Sequence, residues 1–251
     1  MYKFFILLSL IIILLYFFYQ KNYEGYQNNN IKISVLILSY NRPHNLNKSI
    51  PELVKFEEVE EIIILHGNKK FKKEYKHDKV KNIDDWKNND EFYTMKRFKN
   101  VKYCKNEMVF IMDDDVYPSK DLLKKMIKKY RNDTNNIYGP FKRLCNHKGY
   151  IWNPSNEYNN ILTPLMLTSK SVIINVFKKM LLNKKFFQLV INQKGNCEDL
   201  FFNYEFNKLY KKNPIYVEGK YIMLDDKNGF STTNNKEHQR LRNNFCKNIY
   251  K

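Results

Sequence analysis

Residues 108–130 read MVFIMDDDVYPSKDLLKKMIKKY, and this stretch decides the class of fold. It begins with five apolar residues, a continuous run typical of a strand that is buried on both faces of a parallel sheet. Ser119 then occupies a favourable N-cap position for a helix, and the apolar residues that follow recur on one helical face: Leu122, Leu123, Met126, Ile127 and Tyr130. The stretch therefore predicts a strand, an acidic turn and a helix in succession.

The same order of elements occurs upstream. Residues 31–38 (IKISVLIL) form a strand-like apolar run, Pro43 opens a helix-like segment, and residues 62–65 form another apolar run. Repeated strand–turn–helix units predict an α/β fold with a mainly parallel sheet flanked by helices. Residues 131–160 are expected to be rich in loops.

The formal charge of +18 over 251 residues raises the question of a nucleic-acid partner. The 44 Lys and Arg residues are spread along the chain, and no nucleic-acid recognition motif accompanies them. Over-use of Asn, Lys, Ile, Tyr and Phe, relative to average usage, matches the composition that an AT-rich genome imposes. We therefore predict no nucleic-acid binding, although a basic surface attracts phosphates and acidic glycans.

The N-terminus predicts a membrane segment. Residues 4–19 (FFILLSLIIILLYFFY) contain no charge and have almost the length of a spanning helix. A cleaved signal peptide is the alternative, but the run ends in bulky residues and lacks the small residues of a cleavage site. We therefore expect a signal-anchor transmembrane helix over residues 1–20, a stem over 21–30 and one folded domain over 31–251. The protein would be a single-pass type II membrane protein that faces the lumen of the ER or Golgi.

Three predicted strands end in polar triplets: Tyr40-Asn41-Arg42, His66-Gly67-Asn68 and Asp113-Asp114-Asp115. Ligands of open parallel sheets bind beyond the carboxyl ends of the strands, so these groups are expected at one edge. Three adjacent carboxylates repel one another unless a cation neutralises them, and carboxylates with a diphosphate are the usual environment of Mg²⁺ or Mn²⁺. The alternative is an acidic turn that only caps the next helix.

A second acidic pair, Glu198-Asp199, precedes an apolar segment over residues 200–209. Acidic residues are common in the first turn of a helix because they interact with its dipole, which is the structural interpretation. The functional interpretation is a carboxylate that acts as a base, as a nucleophile or as a group that orients the acceptor.

The order of these motifs resembles the exostosin-type glycosyltransferases of family 64. The resemblance covers roughly residues 31–250 and is carried by residues 33–42 (ISVLILSYNR), 96–115 (KRFKNVKYCKNEMVFIMDDD) and 196–206 (NCEDLFFNYEF). It implies a GT-A nucleotide-sugar-binding fold, with a Rossmann-like mixed sheet, and a retaining, Mn²⁺- or Mg²⁺-dependent transfer from a UDP-sugar. The expected sugar is an N-acetylhexosamine, and the expected acceptor is a glycan or a glycoprotein.

The resemblance also implies roles for residues of the donor site. Arg42 and Arg97 would contact the nucleotide, and Asn68 would lie near the uracil. Asp113 and Asp114 would hold the ribose and support the metal ion. The metal ligands themselves would be Asp115 and Asp113.

The resemblance also implies catalytic roles for the second acidic pair, Glu198-Asp199. By the resemblance, Asp199 would be the catalytic or substrate-orienting carboxylate, with Glu198 beside it, and Arg242 or Arg240 would close over the diphosphate. Two other functions stay open. In an inverting enzyme of the same fold, similar to the glycosyltransferases of family 2, Asp199 or Glu198 would act as a general base. A non-catalytic, membrane-tethered binder of polyanions would need neither acidic motif.

The four cysteines allow three pairings if all are oxidised. The resemblance implies a disulfide between Cys197 and Cys246, which would require an oxidising compartment. Candidates for the acceptor groove are aromatic and basic residues of the segment that we expect to be rich in loops: Tyr138, Lys142, Arg143, Trp152 and Tyr158. The sequence predicts no oligomeric state.

Overall fold

The computed structural model describes residues 32–224 and 235–251. Within these ranges the chain forms a mixed α/β fold, in which a seven-stranded sheet is flanked by helices. The predicted anchor over residues 1–20 and the stem over 21–30 lie outside the described residues. In the ranges that are described, no helix is both long and apolar enough to cross a membrane.

The first part of the domain alternates strands and helices. Its strands are β1 (Ile33–Ser39), β2 (Val59–His66), β3 (Val80–Asp84), β4 (Met108–Asp113) and β5 (Val116–Pro118). Its helices are α1 (Pro43–Leu53), the one-turn helices α2 (Asn89–Phe92) and α3 (Lys96–Lys99), and α4 (Lys120–Asn132). Short 3₁₀ turns occupy Lys69–Phe71, Trp86–Asn88, Tyr93–Met95 and Asn100–Tyr103.

The second part contains shorter strands. They are β6 (Tyr138–Gly139), β7 (Lys142–Asn146), β8 (Gly149–Ile151), β9 (Asn160–Ile161), β10 (Leu165–Ser169), β11 (Ile215–Tyr216) and β12 (Tyr221–Met223). The helices are α5 (Lys170–Leu182), α6 (Lys184–Asn192), α7 (Glu198–Tyr210) and α8 (Asn235–Ile249). Residues 131–160, which we expected to be rich in loops, therefore carry several strands of two to five residues.

The order of strands in the large sheet is β11-β6-β10-β4-β1-β2-β3. Strands β4, β1, β2 and β3 are parallel, whereas β10 runs antiparallel to both β4 and β6. The apolar runs predicted the parallel arrangement of β1, β2 and β4, but not the strand β3. Two smaller antiparallel sheets pair β5 with β12 and pair β7 with both β8 and β9.

The parallel register brings the predicted polar turns to one edge of the sheet. Leu38 of β1 pairs with Asp113 of β4, and Ser39 pairs with His66 of β2. The three polar turns thus follow neighbouring strands at their carboxyl ends, where ligands of such sheets bind.

An aromatic stack connects the segment before β4 to helix α7. Phe98 is 1% exposed, and its ring lies 4.4 Å from that of Phe202 in a stacked arrangement. Phe98 follows Arg97, and Phe202 lies three residues after Asp199 on the same helix. This buried pair therefore helps to set the distance between two candidate site residues, Arg97 and Asp199.

Truncation of this stack is expected to destabilise the domain. In Phe98→Ala the lost burial and the cavity should lower the free energy of unfolding by about 3 to 5 kcal/mol. Phe71→Ala is a matched control, since Phe71 is 39% exposed, and it should change stability by less than about 0.5 kcal/mol. Urea denaturation followed by circular dichroism measures both, and equal losses would contradict the role of the stack.

Candidate active site

Arg42 lies between two carboxylates of the acidic triplet. Its Nη2 atom is 2.7 Å from an oxygen of Asp114, and its Nη1 atom is 2.7 Å from an oxygen of Asp115. The backbone N–H of Tyr40 also donates to Asp114, at 3.3 Å. The turn after β1 thereby offsets part of the negative charge of the turn after β4.

The triplet retains excess negative charge despite Arg42. Burial, with further repulsion from its neighbours, raises the pKa of Asp114 to about 6. Burial and then the charge of Asp113 raise the pKa of Asp115. Because the charged forms are disfavoured, an additional cation at the triplet would stabilise the folded protein.

Arg97 connects the triplet to the second acidic pair. Its guanidinium donates to Asp113 at 2.7 Å and lies 3.8 Å from Glu198, while its Nε–H donates to the carbonyl of Thr94 at 3.2 Å. The Arg97 side chain is only 4% exposed. One buried cation therefore joins the edge of β4 to the start of α7.

Helix α7 begins with the two acidic residues that the sequence singled out. Cys197 precedes them with a φ of 73°, a left-handed conformation, and its side chain does not cap the helix. Glu198 accepts a hydrogen bond from the hydroxyl of Thr163 at 3.3 Å. Burial and the neighbouring charge of Asp199 raise the pKa of Glu198 to about 7. Its carboxyl group can therefore exchange a proton near neutral pH.

Asp199 forms an ion pair with Arg242 of α8. The Nη2 atom of Arg242 lies 2.8 and 2.6 Å from the two carboxylate oxygens, and both side chains are 6% exposed. Among residues 32–224 and 235–251, the buried Nε of Arg242 has no hydrogen-bond partner. Arg240 is exposed and pairs with Glu237 instead, so of the two candidate arginines the structure brings Arg242 to the site.

Asn68 lies at the carboxyl end of β2, where its side-chain amide donates to the side chain of Asn41 at 2.9 Å. Beside it is an ionic pair that the sequence analysis missed. Lys96 Nζ is 4.0 Å from a carboxylate oxygen of Asp85, and burial lowers the pKa of Lys96 to about 8. A Cβ atom on Gly67 would lie 2.5 Å from Lys96 Nζ, so a larger residue at this position would displace the end of the lysine side chain.

The carboxylates fit a metal ion only in a site shared with a substrate. In the described part of the chain, no cluster of three His, Cys, Asp or Glu side chains could hold a metal ion. Asp113 and Asp115 are the accessible members of the triplet, with side chains 26% and 18% exposed, whereas Asp114 is 2% exposed. One or two carboxylates completed by substrate phosphates and water form the usual Mg²⁺ environment, and the repulsion between Asp113 and Asp115 favours such an ion.

The predicted disulfide between Cys197 and Cys246 is wrong. Cys246 of α8 is bonded to Cys145 of β7, with the sulfur atoms 2.05 Å apart. In the described ranges Cys197 and Cys104 are buried free thiols. The physical reason is the packing of α8 on the hairpin of β7 and β8, which turns Cys246 towards Cys145.

The candidate acceptor residues do not all share one surface. Tyr138 is fully buried in β6, and its hydroxyl donates to the carbonyl of Asp133, so it does not line a groove. Arg143 lies over the ring of Trp152 at 4.3 Å, and Trp152 is 44% exposed. Lys142 lies over the ring of Tyr158 at 6.0 Å. Arg143 and Trp152 are close to Arg242, since Tyr150 contacts all three.

Comparisons with known proteins agree with this architecture. A sequence model of the glycosyl transferase family 64 domain matches residues 33–251. Among solved structures, the chain is similar to 2-C-methyl-D-erythritol 4-phosphate cytidylyltransferase from Francisella tularensis, with a TM-score of 0.50 and 13% identity over 81% of this chain and 98% of that chain. At this identity the likeness concerns the fold alone. A search of curated proteins gave no match.

The raised pKa of Glu198 predicts how stability depends on pH. A carboxyl whose pKa is higher in the folded state stabilises the protein at low pH, and this contribution is lost as pH rises through about 7. Relative to wild type, Glu198→Gln should therefore gain on the order of 1 to 3 kcal/mol in stability between pH 5 and pH 8.

Urea denaturation at both pH values measures this gain. Glu60→Gln is the matched control, because Glu60 is an exposed carboxylate on β2, and it should follow the pH profile of wild type. A constant difference between wild type and Glu198→Gln would contradict the burial of a titrating group.

Proposed function

We propose a reaction for this chain on the premise that it belongs to glycosyl transferase family 64 and is therefore a glycosyltransferase. The reaction is the transfer of a sugar, with an N-acetylhexosamine as the first candidate, from a UDP-sugar to a glycan or glycoprotein acceptor. We assign the chain to the exostosin-type enzymes with a GT-A fold. Because the chain belongs to a family of enzymes, we do not retain the alternative function of a non-catalytic binder of polyanions.

One observation carries the proposal. Arg97 contacts Asp113 at 2.7 Å and Glu198 at 3.8 Å, so two acidic motifs that are far apart in sequence meet around one buried guanidinium. A transferase needs both groups at one place, because the donor diphosphate and the reacting sugar carbon are directly bonded. Two separate acidic caps at helix starts would not need this bridge.

The arginines would bind the donor nucleotide. Arg42 follows the carboxyl end of β1, and the guanidinium of Arg97 contacts Asp113 at the carboxyl end of β4. Guanidinium groups bind phosphate oxygens through charge-assisted hydrogen bonds. Arg242 keeps a buried Nε without a partner in the described ranges, which leaves a donor for the departing diphosphate. Donors placed where charge develops lower the barrier of such transfers. Asn68 is the candidate contact of the uracil.

Asp113 and Asp115 are the proposed metal ligands. A bound Mn²⁺ or Mg²⁺ would supply electrostatic stabilisation of the charge on the leaving UDP. Asp114 is buried, and its oxygens are occupied by Arg42 and the Tyr40 amide, so its role is to orient the triplet. Asp113, which is more exposed, is therefore the better candidate for contact with the ribose.

Asp199 and Glu198 would lie beside the reacting sugar. The ion pair with Arg242 keeps Asp199 oriented, and the raised pKa of Glu198 suits proton exchange with an acceptor hydroxyl. Retention at the anomeric carbon follows the family resemblance, whereas a general-base role of Glu198 or Asp199 would give inversion. The anomeric configuration of the product, measured by NMR, separates these two mechanisms.

We propose a single-pass type II orientation with the catalytic domain in the ER or Golgi lumen. The support is the apolar run over residues 4–19 and the disulfide between Cys145 and Cys246, because disulfides persist in oxidising compartments.

Loss of a metal ligand should abolish turnover without unfolding the protein. In Asp115→Asn we expect the release of UDP from UDP-N-acetylglucosamine or UDP-N-acetylgalactosamine, assayed with Mn²⁺, to fall by about a hundredfold or more. Asp121→Asn is the matched control, since Asp121 is an exposed acidic residue near the start of α4, and it should keep wild-type turnover.

A thermal-shift panel of UDP-sugars with and without Mn²⁺ gives an independent measurement, because a ligand of the folded state raises its melting temperature. Wild type should respond to UDP-sugar only when Mn²⁺ is present, and Asp115→Asn should not respond. Retained turnover in a folded Asp115→Asn protein would refute the metal assignment.

A further inference from the structure

The hairpin formed by β7 and β8 contacts helix α8 at three points around Arg242. The backbone N–H of Tyr150 donates to the side chain of Asn243 at 3.1 Å. The ring of Tyr150 lies 4.9 Å from the guanidinium carbon of Arg242. Cys145 is bonded to Cys246. The contacts on α8 are thus the candidate catalytic arginine, its next neighbour and a residue one turn further on.

The disulfide and the contact between the Tyr150 ring and Arg242 join four residues: Cys145, Tyr150, Arg242 and Cys246. Cys145 and Tyr150 are directly paired across the hairpin. Arg242 and Cys246 are four residues apart on α8 and therefore lie on one face of the helix. The disulfide and the contact between the ring and the guanidinium consequently link the same two elements side by side.

The tyrosine ring is itself held in place. Its hydroxyl accepts a hydrogen bond from Nε of Arg143 at 3.1 Å, and Arg143 lies over Trp152 at 4.3 Å. Gly149 precedes Tyr150 with a φ of 128°, so the hairpin turns tightly just before the tyrosine. The tight turn before Tyr150 and the polar contact of its hydroxyl therefore restrict the position of the ring next to Arg242.

The ring of Tyr150 can restrict the orientation of the Arg242 guanidinium, which the ion pair with Asp199 alone does not fix. Asp199 contacts Arg242 through one nitrogen atom only, at 2.8 and 2.6 Å, so this ion pair alone does not define the plane of the guanidinium. A cation over an aromatic face is attracted to it, and the attraction increases when the site excludes water. The ring therefore fixes the direction of the donors that remain on Arg242.

We propose that Tyr150 is a positioning residue for glycosyl transfer that acts through Arg242, and that the Cys145–Cys246 disulfide keeps Tyr150 in place. The inference rests on the proposed function, in which Arg242 assists the departing diphosphate. Displacement of a catalytic group by about 1 Å can reduce a rate by about a hundredfold, so the orientation of Arg242 affects turnover.

Replacing the ring tests the positioning role. With the UDP-sugar that wild type turns over fastest among UDP-N-acetylglucosamine, UDP-N-acetylgalactosamine and UDP-glucose, Tyr150→Leu should lower kcat by about tenfold with little change in KM. Tyr150→Phe keeps the ring but loses the hydrogen bond from Arg143, and it should lower kcat by less than Tyr150→Leu does. Tyr103→Leu is the matched control, since the ring of Tyr103 also lies near two lysines, at 5.3 and 5.1 Å.

Calorimetric binding of UDP with Mn²⁺ is the second readout, and it requires no transfer. Tyr150→Leu should weaken this binding several-fold, whereas Tyr103→Leu should not change it. Circular dichroism confirms that each variant is folded. If Tyr150→Leu does not fold, Tyr150→Met, which keeps the volume but not the aromatic face, replaces it. Unchanged kcat and unchanged UDP binding in a folded variant without the ring would overturn the proposal.

A double-mutant cycle with Arg242→Gln separates positioning from a general structural role. If Tyr150 acts through Arg242, Tyr150→Leu should have no further effect on kcat or UDP binding in the Arg242→Gln background. Additive effects would overturn the inference and leave the proposed function intact. If Arg242→Gln alone leaves kcat and UDP binding unchanged, the proposed role of Arg242 fails first.

The disulfide is tested by Cys145→Ser. Like Tyr150→Leu, Cys145→Ser should lower kcat, and the effect of the two substitutions together on kcat should be less than additive. Cys104→Ser, at a buried free thiol, is the matched control and should keep wild-type kcat. Wild-type kcat in Cys145→Ser would show that the ring holds Arg242 without the disulfide and would overturn that part of the proposal.

Discussion

Five carboxylates converge on one edge of the sheet, and their mutual repulsion must be balanced before the domain can fold. Among the described residues, the arginines that pair with them come from three separate elements: the turn after β1, helix α3 and helix α8. The pairs still leave two negative charges in excess. Because an uncompensated buried charge is costly, the arginine pairs stabilise the fold, and the remaining excess of carboxylates favours a cation at the acidic triplet.

Much of the fold follows from local patterns in the sequence. The apolar runs of β1 and β4 are continuous because both faces of these strands are buried, and α4 has a clear helical periodicity with Ser119 as its cap. The segment over residues 131–160 could not be predicted in the same way. Its strands are two to five residues long and depend on partners distant in sequence, such as β10 and α8.

The structure confirms that the polar turns meet, which strand topology decides, whereas the expected disulfide, which packing decides, is wrong. The strand-end rule brought Arg42 and the acidic triplet together, since parallel neighbours align their carboxyl ends. No pattern in the sequence distinguishes the cysteine that pairs with Cys246, because that choice depends on which face of α8 meets the hairpin. Lys96 was missed for a similar reason: only the folded chain places it beneath Gly67 and close to Asp85.

The order of the paired charges along the chain has a consequence for synthesis. Arg42 and Arg97 precede the carboxylates that they contact, whereas Asp199 precedes Arg242 by 43 residues. A nascent polypeptide therefore carries the cations for the triplet before the triplet emerges, but it exposes the start of α7 without its cation. Until α8 is translated, hydration of Asp199 opposes closure of this part of the domain. The order of translation thus favours pairing of the acidic triplet with its arginines first and pairing of Asp199 with Arg242 last.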